Sequence, residues 1–228
     1  LRVARRRSID VLLKKIDTAL RGHLGAELDA AIDGLGAAAA FVAPAIPAVG
    51  RVTRGGCQWF GGRPLAETEF ASDPEGGGGE SSVAAVVARE SRRRTELIGL
   101  ETLRAGGLGE RARTLMRAGT DLFVLDAESD DDLATVVRSV LDLPRPLCLA
   151  GSIGATAALA NALRPVGTPV GGAPKALSVP ALIVCGSLHS TASAQLDAVC
   201  GPAGVERLSL PSRPDEALAA AARALLLG

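Results

Sequence analysis

The sequence predicts an α/β fold: a mostly parallel sheet flanked by helices, with one projecting β-hairpin, followed by the start of a second α/β domain. Three observations lead there. Strand-like apolar runs alternate with helix-patterned segments along the chain. Leu122-Phe123-Val124-Leu125 and Leu147-Cys148-Leu149-Ala150 are continuously apolar, as strands buried on both faces are. The chain has 228 residues and is 47% hydrophobic, enough for one large domain or for one domain and part of another.

Taken in order, Val11-Leu12-Leu13 reads as a short strand and Gly25 to Leu35 as a helix. Cys57 to Leu65 reads as a hairpin turning at Gly61-Gly62, a projection able to flank a cleft. Gly76-Gly77-Gly78-Gly79 marks a low-complexity loop, read as a solvent-exposed connection with a mobile lid as the alternative. The strand Leu122–Leu125 leads into a helix from Asp130 to Leu143, whose first-turn Asp residues suit the macrodipole. The strand Leu147–Ala150, a tight turn from Gly151 to Gly154 and a helix from Ala155 to Leu163 follow. Residues 164–179 have the Pro/Gly composition of a linker, and Pro180 to Cys185 opens a new strand, followed by Gly186-Ser187 and a helix through Gln195. Leu208 to Gly228 adds a short strand and an Ala-rich helix. The expected organisation is therefore a first domain over 1–163, a linker over 164–179, and the beginning of a second domain over 180–228.

Composition narrows the function. The formal net charge is 0, which argues against nucleic-acid binding as the main task. Arg5-Arg6-Arg7 and Arg92-Arg93-Arg94 lack interleaved aromatics and read as solvated helix faces. No apolar run reaches the ~18 residues that cross a bilayer, and no signal-peptide pattern is present. Cys57, Cys148, Cys185 and Cys200 form no CxxC pair and have no metal-like spacing with His23 or His189. The expectation is a soluble, cytoplasmic protein without a zinc site.

The chemistry concentrates at Lys14-Lys15-Ile16-Asp17-Thr18-Ala19-Leu20-Arg21-Gly22-His23, between the first strand and the first helix. Cationic side chains beside a helix N-terminus suit a carboxylate or a phosphate. This stretch resembles the Lys-Lys-Ile-Asp-Ser-Thr-Leu-Arg-Gly-Asn signature of the four-carbon acid sugar kinases. Pro44-Ala45-Ile46-Pro47-Ala48-Val49-Gly50-Arg51 is similar to that family's Pro-Ala-Phe-Pro-Ala-x-Gly-Arg run, and Glu67-Thr68-Glu69-Phe70-Ala71-Ser72-Asp73-Pro74 to its Glu-Thr-x-Phe-x-x-Asp-Pro. Val124-Leu125-Asp126-Ala127 with Asp132-Leu133, then Gly151-Ser152-Ile153-Gly154 and Cys185-Gly186-Ser187, complete six ordered matches.

The resemblance implies a first domain that holds the acid and a second that holds the nucleotide, with ATP and Mg²⁺ as cofactors and no nucleic-acid or membrane partner. It places acid contacts on Lys15, Asp17 and Arg21, joined by Arg51 and Arg54, and nucleotide contacts on Ser187 and His189. The two strand–Gly-Ser–helix turns, Gly151-Ser152 and Gly186-Ser187, read as places where backbone N–H groups and a hydroxyl meet a nucleotide phosphate, with close packing of small residues as the alternative. Arg grips a carboxylate through a bidentate fork and Lys supplies a point charge. Asp17 has two readings, an acceptor for sugar hydroxyls or a partner of Arg21 across one helical turn. Asp126 is either a ligand group at a strand end or the cap of the next helix. There is no Walker A motif and no GxGxxG after a strand, so neither a P-loop nor a dinucleotide oxidoreductase is supported.

Thr18-Ala19 stands where the family has Ser-Thr, and His23 where it has Asn. The family's Asp-Asp-x-Thr-Gly-Ala segment and its Gly-Gly-x-Thr nucleotide loop are not found, so the catalytic base is not assigned. The expectation is either a piece of a longer kinase or a shortened, non-catalytic acid-binding relative.

Overall fold

The structure, a computed structural model, describes residues 9–72, 79–163 and 190–200. It divides into two compact units, Leu1–Val166 and Gly167–Gly228. The described part of the second unit is one helix, Ser190–Cys200. The expected linker, the strand at Pro180–Cys185, the Gly186-Ser187 turn, His189 and the segment from Leu208 lie outside the described residues.

In the first unit five strands form a parallel sheet: β1 (Val11–Lys15), β2 (Ala40–Ala43), β6 (Thr95–Ile98), β7 (Leu122–Leu125) and β8 (Leu147–Gly151), in the spatial order β1-β8-β2-β7-β6. Register is fixed by pairs such as Lys15 with Gly151, Ala43 with Gly151 and Val42 with Val124. The period-2 alternation of each central strand feeds two cores. Phe41, Phe123, Leu125, Leu147 and Leu149 face one side, where α3 (Leu100–Arg104), α4 (Leu108–Arg117), α5 (Asp130–Leu141) and α6 (Ile153–Ala162) pack. Val42, Leu122, Val124, Cys148 and Ala150 face the other, against α1 (Leu24–Leu35) and α2 (Val83–Ala88). The result is three layers around a sheet buried on both faces.

The hairpin read at Gly61-Gly62 is present but is larger than the sequence suggested. β3 (Arg51–Arg54), β4 (Cys57–Phe60) and β5 (Arg63–Pro64) make a three-stranded antiparallel meander with a second turn at Gly55-Gly56. All four turn glycines have positive φ, the region where a Cβ is disfavoured. The meander is docked on the main sheet: Thr53 and Ala127 exchange backbone hydrogen bonds at 3.0 Å in both directions.

The start of α6 differs from the sequence reading, whereas α5 starts at Asp130 as read. α6 begins at Ile153, because the buried Ser152 caps it by accepting from Gly154 N at 3.2 Å. α5 is closed by a capping box of Ser129 and Asp132, so Asp126 is not its cap.

Candidate functional site

The carboxyl ends of the five parallel strands carry the loops in which the singled-out residues lie. The helix leaving β1 (α1) and the helix leaving β8 (α6) cover opposite faces of the sheet. That arrangement opens a crevice outside the strand ends.

The loop after β1 is the best-defined wall of that crevice. Asp17 carboxylate oxygens accept from Arg21 Nε at 2.7 Å and Arg21 Nη2 at 3.1 Å, and from the Ala19 backbone at 3.1 Å. The i,i+4 pair read from the sequence therefore exists, but on a tight turn rather than a helix, with Leu20 N donating to Asp17 O at 3.2 Å. Leu20 has φ 58°, a left-handed conformation that costs a side-chain-bearing residue energy. Its side chain is 1% exposed, and that burial holds the turn in its strained form. Burial alone would raise the Asp17 carboxyl, but the bonds and charge of Arg21 outweigh it and hold the group below its ordinary value.

Lys15, Asp17 and Arg21 line one small cleft of about 80 Å³, with Lys14 and Glu27 at its rim. Lys14 Nζ pairs with Glu27 at 2.5 Å, while among the described residues the exposed Lys15 donates only to Ile16 O at 2.8 Å. The N-terminus of α1, read as open to an anion, is closed by the chain itself. Glu90 accepts from Ala26 N at 3.3 Å and pairs with His23 Nδ1 at 2.6 Å. The hydrogen bond and charge of Glu90 raise the His23 pKa.

Arg51 reaches the same loop from β3. Its Nη1 donates to Thr18 Oγ1 at 2.5 Å, and its guanidinium lies 4.5 Å from the Phe60 ring centre and 5.1 Å from that of Phe70. The two rings meet edge to face at 5.1 Å. Among the described residues no carboxylate forms an ion pair with Arg51, and Thr18 Oγ1 is its guanidinium's only hydrogen-bond partner. Most of its five N–H donors have no hydrogen-bond partner among the described residues. Burial lowers its pKa, opposed by the charge of Asp17 and reinforced by that of Arg21, so the three groups sense one another.

Arg54 is placed differently. It pairs with Glu128 and lies over the Trp59 ring at 5.5 Å, and Glu128 is shared with Arg104 at 3.3 Å. Asp126, at the end of β7, accepts from Gly55 N at 2.8 Å and Gly56 N at 2.9 Å, fastening the meander turn. Burial raises its pKa against those amides.

The Gly151-Ser152 turn is built for close packing. A Cβ at Gly151 would stand 2.4 Å from Ala155 Cβ, and one at Gly154 would stand 2.6 Å from Ala45 O. The Ser152 hydroxyl donates to Ala45 O at 2.6 Å and is fully buried, so it faces the β2 loop. No group of three His, Cys, Asp or Glu side chains among the described residues is arranged to hold a metal ion.

Residues missed by the sequence reading are Thr18, Gln58 and Phe60. Gln58 and Phe60 share the inward face of β4, and a polar residue in that register was the available signal.

The family model for the sugar-binding N-terminal domain matches residues 1–159. D-threonate kinase of Salmonella typhimurium is 36% identical over 191 residues, covering 83% of this chain and 43% of the enzyme. D-threonate kinase of Cupriavidus necator is 36% identical over 211 residues, covering 89% of this chain and 48% of the enzyme. The chain belongs to the four-carbon acid sugar kinase family. It spans less than half the length of these curated family members. Among solved structures, a Bordetella bronchiseptica domain with bound citrate, a domain-swapped dimer, matches with TM-score 0.57 and 33% identity over 69% of this chain and 38% of that one. A Haemophilus influenzae protein matches with TM-score 0.62 at 19% identity over 70% of this chain and 39% of its own, and shares the fold. Within the four-carbon acid sugar kinase family, the motif Phe now has a physical role in this chain: Phe70 stacks on the motif Arg, Arg51. Among the described residues no helix is long and apolar enough to cross a membrane.

Proposed function

We propose that this chain is the acid-binding part of an ATP-dependent kinase that phosphorylates a terminal hydroxyl of a four-carbon hydroxy acid of the threonate, erythronate or 3-oxo-tetronate class. The observation that carries the reading is Arg51, a guanidinium oriented by Thr18, Phe60 and Phe70 but without a carboxylate partner among the described residues. A carboxylate on Arg51 would form the bidentate, charge-assisted pair that distinguishes Arg from Lys. Lys15 adds positive charge to the neighbouring cleft, and Asp17, already oriented by Arg21, offers acceptor capacity to sugar hydroxyls. The citrate bound by the Bordetella bronchiseptica relative supports a hydroxy acid as the ligand class.

ATP would supply the phosphoryl group, and Mg²⁺ would neutralise its charge. Among the described residues no group of three His, Cys, Asp or Glu side chains is arranged to hold that metal. Nucleotide contacts are proposed for Gly151 and Ser152 through their backbone, and for Gly186, Ser187 and His189, which lie outside the described residues. The proposed setting is the cytoplasm, with small-molecule partners only.

The test is calorimetric titration of the native gene product with D-threonate, D-erythronate and ATP. Arg51→Ala is expected to weaken acid binding by about 10- to 100-fold, the range of a lost charge-assisted pair, with ATP affinity within two-fold. Arg21→Ala is expected to act in the same direction. Equal loss for both ligands, or no loss for the acid, overturns the assignment.

A further inference from the structure

We propose that Gln58 is a positioning residue for the acid site, one that sets the guanidinium of Arg51 by locking Thr18 from beneath; this rests on the reading of Arg51 as the acid's contact. Gln58 is fully buried on β4 and spends both ends of its amide. Its Oε1 accepts from Thr53 Oγ1 at 2.6 Å, and its Nε2 donates to the Thr18 carbonyl at 3.0 Å. Only one orientation of the amide satisfies both, because the reverse would set its oxygen against the Thr18 oxygen. Thr18 is therefore held at two points by the meander: its carbonyl by Gln58 and its hydroxyl by Arg51.

The arrangement has a reason in the loop. Thr18 lies between Asp17 and the strained Leu20, where the chain leaves the parallel sheet and has no strand to take its carbonyl. A donor must come from elsewhere, and the inward register of β4 brings one across 40 residues of sequence. Thr53, Gln58 and Thr18 are all nearly inaccessible, at 0%, 0% and 3% exposure. A fully satisfied buried polar chain of this kind sets a unique geometry. Here it sets the distance between β3, which carries Arg51, and the β1 loop, which carries Asp17 and Arg21.

The discriminating variant is Gln58→Glu, which keeps shape and the acceptor for Thr53 but loses the donor to Thr18 when ionised. In the native gene product, D-threonate and D-erythronate affinity is expected to fall at least ten-fold at pH 8 and to recover toward pH 5, where a protonated carboxyl again donates. ATP affinity is expected to stay within two-fold at both pH values. Thr18→Ser, which keeps hydroxyl and carbonyl, is expected to bind the acid like wild type, and Thr18→Val to bind it weakly. Adding Gln58→Glu to Arg51→Ala is expected to cost nothing more, because the effect runs through Arg51. A ligand-free measurement separates the two proposals: the Arg51 Nε–H resonance is expected to shift in Gln58→Glu. If that resonance is unmoved, or if acid and ATP affinity fall together, Gln58 is structural only and the positioning role is overturned. If the resonance moves while Arg51→Ala leaves acid affinity intact, the acid-site reading of Arg51 fails, and the inference fails with it.

Discussion

At the scale of single residues, the same guanidinium chemistry serves opposite ends in this molecule. Arg51 is held by a hydroxyl and two rings, whereas Arg54 and Arg104 are consumed by Glu128 and Asp132. Asp132 shows what such pairing does. The Arg104 hydrogen bonds, with the Glu128 amide and Ser129, outweigh burial and pull its carboxyl down to about 2. A carboxyl depressed below its unfolded value near 3.9 binds protons preferentially in the unfolded chain. Its stabilisation is complete above about pH 4 and is lost as pH falls through about 2. Because Arg104 is half exposed, the contribution is on the order of 1–2 kcal/mol after solvent screening. Denaturant melts of wild type and Asp132→Asn should differ by that amount at pH 6, and the gap should close toward pH 2.

At the scale of elements, helix approach is set by glycine, and the effect of adding a methyl depends on what the methyl meets. In α6, Gly154 faces Ala45 O and Leu133 Cδ1, at 2.6 Å and 2.8 Å from a built Cβ. Gly154→Ala is expected to destabilise by about 1–3 kcal/mol, since overpacking against backbone exceeds a helix-propensity gain of about 1 kcal/mol. In α4, Gly109 faces only the tip of Arg113, at 3.4 Å. Gly109→Ala is expected to raise stability by about 0.5–1 kcal/mol, and paired thermal melts of the two variants check both signs. Elements also differ in how openly the sequence declared them. β7, β8 and α5 were legible because continuous apolar runs and first-turn Asp residues are local signals. β2 is Ala-Phe-Val-Ala within an Ala-rich stretch, and β6 is a four-residue edge strand carrying Glu96, so neither stood out. β3 reads Arg-Val-Thr-Arg and becomes a strand through its pairing with β4.

At the scale of the whole unit, one sheet joins two cores, and its two central aromatic rings bind the adjacent strands. Phe41 on β2 and Phe123 on β7 stack with centroids 5.0 Å apart, and both are fully buried. Phe41→Ala is expected to cost about 3–5 kcal/mol and to raise protease sensitivity across the parallel sheet. The site follows the same logic of distant parts. The family resemblance brought Lys15, Asp17, Arg21 and Arg51 to notice, and they lie on the β1 end, its loop and the neighbouring strand β3. Arg54 with Glu128, Glu90 on the start of α1, and Gln58 on Thr18 are contacts across 40 to 74 residues of chain, which local patterns do not carry.

The meander also carries its own lamp. The chain has one tryptophan and no tyrosine, and that tryptophan is Trp59 on β4, its indole nitrogen buried and the Arg54 cation over its ring. Excited at wavelengths that phenylalanine does not absorb, this chain has a single emitter, next to Gln58 in sequence and one strand away from Arg51. A change in the surroundings of that small sheet can be followed by light alone, with no label attached.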